Sequence, residues 1–452
     1  MGNNWISLLK KSRAADARCF AARSWQVAWP MTLIMFFEFL IGLTDVYVAG
    51  RVGKDVQAAY GFVIQLYFIF IVVANALTVG TVSVVSRLYT AGEKDRLSTA
   101  IFSSLLITSG AGLVVALTGI VLAPELIGLL NIPAQLKPFC IPLVAIYSGG
   151  LLFEYLVINC NGILRSCNMI KVSLRTMAFV CGANITLNIF FVFFTPLGFR
   201  GIALATASSA FMGSLINLTY VRRLATGIRR FSGDTIKRIA QIGWPMGALQ
   251  VLWQLGSMAL FLIISELPAY RIEILAALTA GLRIESAIYL PAFAFNMANA
   301  VIVGNLLGEK KHEEAYGSGI ATALIGVAVV VFLVLVVITN ARWIASFLSD
   351  NPIVVRESVR YLYIAMISEP FMAWGAILGG GLAGAGDTRS VLTRVALSIW
   401  LVRLPLAYLS VVVLGLGAAS VWWSMNISQF VMAYLLYRRY SKREWLFTGE
   451  LA

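Results

Sequence analysis

Apolar residues run through this chain in long unbroken stretches, separated by short polar connections that carry Lys and Arg. The stretches do not alternate apolar with polar, as the strands of a membrane barrel would. They exceed twenty residues, the length an α-helix needs to cross ~30 Å of hydrocarbon. The pattern predicts twelve spans, at roughly 25–49, 58–84, 99–123, 140–164, 173–196, 200–221, 238–265, 274–305, 316–340, 356–382, 390–413 and 415–437. Some turns are tight: "TPLGFRG" (Thr195 to Gly201) separates spans five and six, and "GLG" (Gly415 to Gly417) lies near the turn between eleven and twelve.

The pattern also repeats. "WPM" at Trp29–Met31 returns at Trp244–Met246, an offset of 215, and "GEK" at Gly92–Lys94 returns at Gly308–Lys310, an offset of 216. "YVRRL" (Tyr220 to Leu224) is echoed by "LYRRY" (Leu436 to Tyr440), and "GILRSCNMIKVSLR" (Gly162 to Arg175) by "GLAGAGDTRSVLTR" (Gly381 to Arg394). One offset held across six spans keeps both halves in the same orientation, so they are parallel repeats about an axis along the membrane normal. The chain is therefore expected to be an all-α polytopic membrane protein, with twelve transmembrane helices in two pseudo-symmetric six-helix lobes. The expected organisation is a basic cytoplasmic segment over 1–24, a first lobe over 25–221, a cytoplasmic linker over 222–237, a second lobe over 238–437 and a cytoplasmic tail over 438–452.

Composition agrees: 60% of the 452 residues are hydrophobic and 12% charged, about half the charged fraction of a soluble chain. The net charge of +14 would suggest nucleic acid in a soluble protein, but here it sorts by side. With both termini inside, the inner segments hold 25 Lys and Arg and the outer ones 8, while Arg283 and Arg403 lie within spans. That bias sets orientation in a membrane and points to no nucleic-acid partner. The five Cys lack any CxxC spacing and read as free thiols. The sequence has no HExxH, GKS/T loop, GxGxxG after a strand or GxSxG, so it gives no sign of an enzyme. No cleavable signal peptide is evident ahead of the first span. His312, in "GEKKHEEAYG", reads as a surface residue.

The informative residues are the ionisable ones within spans. A carboxylate at the bilayer centre costs at least ~2.5 kcal/mol, so it needs a polar cavity or a partner. Glu38 and Asp45 lie seven apart on span one, on nearly one face and ~10 Å apart along the axis. The bland alternative for Asp45 is a pairing with Arg51 or Lys54 near the helix end. Span five carries Asn184 and Asn188, four apart on one face, and span six carries Thr206. Taken singly, such residues more often bond helix to helix. In the second half, Gln250 and Gln254 share a face of span seven, Arg283 and Glu285 lie in span eight, and Glu369 precedes Pro370 in span ten. Arg283 and Glu285 are two apart, so each must find another partner. Structural pairing and a substrate or proton site are equal readings of these residues.

These segments together resemble the multidrug and toxic compound extrusion (MATE) family. "PMTLIMFFEFLIGLTDVYVAGRVG" (Pro30 to Gly53) is similar to its first helix, with a Pro near the start and an Asp near the outer end. "GLAGAGDT" resembles its loop after span ten. In the first copy, Arg165, Cys167 and Asn168 stand where the second has Gly, Gly and Asp. "LGFRGIALAT" is similar to its opening of span six. The resemblance implies an antiporter exporting cationic or amphipathic compounds in exchange for H⁺ or Na⁺ by alternating access, with no other cofactor. It implies a cation or proton site at Asp45, Asn184, Asn188 and Thr206, which would also be the Na⁺ ligands. Asn188 departs from the family, which has a carboxylate there in some branches, and Glu38 stands where relatives often have Gln. We therefore expect Glu38 to supply the second acid. Gln250, Gln254, Arg283, Glu285 and Glu369 are expected to line a substrate cavity, and aromatics such as Trp253 and Tyr289 can offer π faces to cations. The expected setting is the plasma (inner) membrane, as a monomer in contact with lipid. The rival readings are a lipid-linked saccharide flippase of the same superfamily and a membrane-embedded lipid-modifying enzyme. The former tends to have a strongly basic central cavity, and the latter needs catalytic residues clustered at one membrane face.

Overall fold

The computed structural model describes residues 2–129, 132–267, 270–349 and 351–447, with side chains from Cys19 onward apart from that of Leu348. The basic side chains expected before Cys19 and the tail residues 448–452 lie outside these. The described residues contain no strand.

Besides short helices such as Ala123–Leu129, twelve long ones, one of them broken, follow in chain order among the described residues. They are α1 (Gly2–Val52), α2 (Lys54–Thr90), α3 (Lys94–Val121), α4 (Lys137–Ser166), α5 (Ile170–Phe193), α6 (Arg200–Leu224), α7 (Gly233–Ser265), α8 (Arg271–Gly308) and α9 (His312–Leu348), then α10 in two pieces (Pro352–Ala365 and Glu369–Gly384), α11 (Thr388–Val413) and α12 (Ala418–Ser441). Ten described helices are long and apolar enough to cross a membrane, and the two pieces of α10, bent by 54°, pass the same test together. The chain is thus the expected polytopic all-α protein. The break in α10 precedes Glu369-Pro370. Pro lacks an N–H and suits a helix's first turn, while the residue before it is steered away from α conformation. In α11, residues Ser398–Arg403 form a π-helical turn, and the Leu404 N–H reaches the Ile399 carbonyl five residues back. Pro405 follows and has no N–H to continue the ordinary ladder.

The chain divides into two compact units. Leu33–Gly247 forms the first lobe, and Ala248–Ala452 with Met1–Thr32 forms the second. The divisions fall inside α1 and α7, two residues past Pro30 and Pro245 respectively. Their spacing of 215 is the offset of the repeat itself. In the second lobe, the opening turns of α1 pack on α8 and α9: Ser24 hydrogen-bonds Thr322 at 2.7 Å, and the rings of Trp25 and Phe295 lie 6.4 Å apart. In the first lobe, the opening turns of α7 pack on α2. A Cβ on Gly80 would fall 2.1 Å from the Ile239 carbonyl oxygen, so only glycine permits that crossing.

Helix α4 ends in the same backbone motif as α10. Met169 and Asp387 donate to the carbonyls of Leu164 and Leu382, and Asn168 and Gly386 donate to those of Arg165 and Ala383. Asn168 (φ 57°) and Gly386 (φ 85°) both occupy the left-handed region. This corrects the sequence register by one residue. Asn168 is the counterpart of Gly386, not of Asp387, because asparagine tolerates the left-handed turn that glycine otherwise supplies.

The segment between the halves is non-helical over 225–232 and lies pinned along α3. Gly227, Ile228 and Ser232 donate backbone N–H groups to Ser98 Oγ (2.8 Å), Asp95 Oδ1 (3.0 Å) and Ser103 Oγ (3.2 Å). The end of the second half is held in a similar way on α9. Arg443 donates to Glu313 at 2.7 Å and lies 4.1 Å from the Tyr316 ring centroid. Asp95 and Glu313 are each the second residue of their helix. All five Cys are free thiols, and all but Cys19 are buried.

Candidate functional site

Asp45 sits on α1, 2% exposed, inside the first lobe. Its Oδ1 accepts an N–H from Asn188 Nδ2 on α5 at 2.5 Å. Its Oδ2 accepts the hydroxyls of Tyr147 on α4 and Thr206 on α6, each at 3.2 Å. Asn184 Nδ2 in turn donates to Thr206 Oγ1 at 3.1 Å. Asn184 and Asn188 share a face of α5 because they are four apart, and that face is turned on Asp45. Around the cluster lies a hydrophobic core that includes Val48, Ala49, Tyr60, Val144, Ile202 and Ala203. With little water to compete, hydrogen bonds to a carboxylate are strong there. The Oδ1 atoms of Asn184 and Asn188 are buried and accept no hydrogen bond. One carboxylate, the amides of Asn184 and Asn188 and the hydroxyls of Tyr147 and Thr206 therefore form one buried hydrogen-bonded cluster.

Arg51 is not the partner of Asp45; it donates to Tyr47 one turn back, at 2.9 and 3.1 Å. Tyr147 packs against Tyr67 and Tyr60, with ring centroids 5.2 and 6.4 Å away. With Tyr67 and Ser148 it also lines a narrow crevice.

Glu38 does not join this cluster. Its side chain is exposed on α1, and its charge acts on Arg165 and Glu154 of α4. Two turns of helix carry it ~10 Å along the axis from Asp45, beyond the reach of the same donors. The amide of Asn188 is thus not compensated by a second acid in contact with Asp45.

In the second lobe, Glu285 and Glu369 are each 2% exposed, and Arg403 is 6% exposed. Tyr361 donates to Glu285 Oε1 at 2.6 Å, and Arg403 Nε donates to Ser428 Oγ at 2.8 Å. Arg283 points elsewhere: its side chain is exposed while Glu285 is buried. A step of two residues turns a helix by about 200°, which separates them. Gln254 is likewise exposed, and Gln250 is half-buried with an unpartnered Oε1. Glu285 and Glu369 are therefore both buried within the second lobe, while Arg283 and Gln254 are exposed.

Three contributors were not among the expected site residues. Tyr147 and Tyr361 are ordinary-looking tyrosines in apolar runs, and only the packing of α4 and α10 shows what their hydroxyls reach. Glu154 carried a signal in the sequence, since it is an acid within a span like Glu38.

The MatE family model matches residues 30–190 and 245–409. The uncharacterized transporter YisQ of Bacillus subtilis (strain 168) is 22% identical over 437 residues, covering 94% of each chain. The probable multidrug resistance protein NorM of Thermotoga maritima is 25% identical over 410 residues, covering 86% of this chain and 85% of that one. Among solved structures, the Vibrio cholerae MATE transporter VcmN in its bent form is similar with a TM-score of 0.89 at 19% identity, covering 95% of this chain and 98% of that one. A MOP superfamily transporter from Pyrococcus furiosus gives 0.87 at 19% identity, covering 94% and 96%. At these identities the structural likeness establishes the fold.

Proposed function

Because the chain belongs to the MatE family, a family of membrane transporters rather than enzymes, we propose that it is an antiporter that exports cationic or amphipathic organic compounds in exchange for H⁺ or Na⁺. The observation that carries this reading is the Asp45 cluster. One buried carboxylate is held by Tyr147, Asn188 and Thr206, and among the described residues no basic side chain bonds or pairs with it. A permanent uncompensated charge there is expensive, so the site favours taking up one positive charge. A proton or a Na⁺ each supplies it. The unclaimed oxygens of Asn184 and Asn188 suit Na⁺ ligation or acceptance of a hydrogen bond from a protonated Asp45. Coupling then follows if the two transport states hold that charge with different affinity, since a ligand shifts an equilibrium only by its differential binding. The names of NorM relatives as multidrug resistance proteins support organic compounds as the cargo. The Lys and Arg bias supports both termini on the cytoplasmic side of the plasma (inner) membrane.

The test uses the full chain in proteoliposomes with ethidium as probe and a pH or a Na⁺ gradient imposed separately. Wild type should move ethidium under one of the two gradients, and Asp45→Asn should lose at least ~90% of that flux, the loss of roughly 1.4 kcal/mol or more of driving interaction. Undiminished flux in Asp45→Asn would sink the proposal.

A further inference from the structure

The segment that follows α6 is covered on one side and bare on the other. Over 225–232 its backbone polar groups are given to side chains of α3. Besides the three N–H bonds to Asp95, Ser98 and Ser103, the Ile228 carbonyl accepts from Thr99 Oγ1 at 3.1 Å. Arg229 turns back and donates to the Ala225 and Arg222 carbonyls at the end of α6. Ile228 and Phe231 stay uncovered, 52% and 63% exposed.

The depth of this segment follows from α3. Asp95, Thr99 and Ser103 lie at four-residue steps along one face of the helix. Leu106, next on that face, is an exposed apolar residue. The segment therefore runs down a face that continues as lipid-facing surface. From Ser103 the helix still runs to Val121, about 27 Å of rise, close to the ~30 Å of hydrocarbon. Ser232, bonded to Ser103, and Phe231 beside it thus sit at the boundary between headgroups and acyl chains. Non-helical backbone is tolerated near that depth only when protein satisfies its polar groups, as α3 does here.

The second half ends in a similar way. "FSGD" (Phe231 to Asp234) is echoed by "FTGE" (Phe447 to Glu450), at the same offset of 216 as the repeat. Trp445, the counterpart of Arg229, also turns back on its helix, donating its ring N–H to the Tyr440 carbonyl of α12 at 2.7 Å. Phe447 is left 62% exposed, beside the His312 ring at the start of α9.

Charge identifies what covers the bare side. Six basic residues and one acid stand between Arg222 and Arg238. Arg222, Arg223 and Arg230 are exposed, and among the described residues none of them forms an ion pair. Large apolar side chains beside free guanidinium groups match a surface that is anionic above and apolar beneath. We propose that residues 228–231 are a membrane anchor specific for anionic phospholipid. Ile228 and Phe231 enter the acyl boundary, and Arg222, Arg223 and Arg230 hold the anionic headgroups. Phe447 enters the boundary in the same way for the second lobe. The first anchor immediately precedes α7, so it fixes the opening turn of that helix at the membrane surface. The anchor requires only that the chain spans a membrane and holds whatever compound is exported.

The test uses the full chain carrying Cys19→Ser, which removes the one exposed native thiol. Phe231→Cys is labelled with a bimane fluorophore in vesicles of phosphatidylcholine and phosphatidylglycerol, and Ile228→Cys serves if that variant fails to fold. Ala91→Cys, in the exposed turn between α2 and α3, gives the reference for a label in water. Lipids of either headgroup carrying a nitroxide near the top of the chain should quench the label at 231, and aqueous iodide should quench it several-fold less than at 91. The phosphatidylglycerol nitroxide should quench more strongly than the phosphatidylcholine one. Replacing Arg222, Arg223 and Arg230 by Gln should reduce that preference at least about fivefold, the share of a single arginine near an anionic surface. Iodide quenching equal to that at 91 places the segment in water and overturns the proposal. A label that neither iodide nor lipid reaches is covered by protein, which also overturns it. So does a preference absent from the start or unchanged in the Gln variant. Iodide reaching a label at Phe447→Cys as freely as at 91 overturns the anchor of the second lobe. Failure of ethidium export bears only on the earlier reading, since this measurement involves no transport.

Discussion

Asn188 donates its amide N–H to Asp45 at 2.5 Å, at a position where a carboxylate would instead have doubled the local charge. A hydrogen bond to an ionised group is worth about 1.5–3 kcal/mol. Asp45→Asn and Asn188→Ala should therefore couple by about 1–3 kcal/mol in a double-mutant cycle of unfolding in detergent. Additive effects would mean the pair is not formed. Gly281 offers a second test. Alanine there must push the Tyr361 ring aside, because its Cβ would lie 2.2 Å away. Gly281→Ala should destabilise by about 1–3 kcal/mol, as overpacking does, and appear as a lower melting temperature. At this scale the sequence was legible wherever chemistry is rare in a membrane. Asp45, Glu285 and Glu369 stand out because acids within spans need a reason. Glu38 stands out equally, yet it lies exposed outside the Asp45 cluster, because residue type and helical spacing say nothing about what approaches from other helices. The tyrosine hydroxyls could not be read for the same reason.

The helices themselves were the most legible feature, since an unbroken apolar run of spanning length is rarely anything but a transmembrane helix. Their irregularities were less so. The prolines at 370 and 405 are visible in the sequence, but whether a proline ends a helix, kinks it or stretches it into a π turn depends on which neighbours donate to the freed carbonyl groups. The one-residue slip between the ends of α4 and α10 has a similar origin. Residue identity suggested pairing Asn168 with Asp387, whereas backbone conformation pairs it with Gly386. The segment 225–232 carries a prediction at this scale. Asp95 accepts the Ile228 N–H and Ser98 that of Gly227, holding the basic run Arg229–Arg230 along α3. Asp95→Ala frees that run, so trypsin should cut there several-fold faster under native conditions, read by the appearance of two half-chain fragments. An unchanged rate would show that the other contacts suffice to hold it.

For the whole molecule, the repeat foretold two alike halves, but a linear repeat cannot reveal that each compact unit takes in helical turns from the opposite half of the sequence. Those turns are residues 1–32 in the second lobe and 233–247 in the first. Their partners are contacts such as Ser24 with Thr322 and Ile239 with Gly80, about 300 and 160 residues apart. Two polypeptides, 1–228 and 229–452, should therefore associate when co-expressed, each supplying turns the other's lobe lacks. A tag on one should recover both in equal amounts, and recovery of one alone would contradict the division.

The placement of residues 1–32 also has a consequence in time. Residues 19–32 are made before the partners that pack on them, which lie beyond Ala248. At roughly 5–20 residues per second, the ribosome needs on the order of tens of seconds to produce the intervening chain. The first lobe has its full complement of residues once synthesis passes Gly247, whereas the opening turns of α1 must wait through that interval without their final neighbours. Synthesis order and packing order therefore run opposite for these opening turns of α1, which leaves them without their final neighbours for that interval.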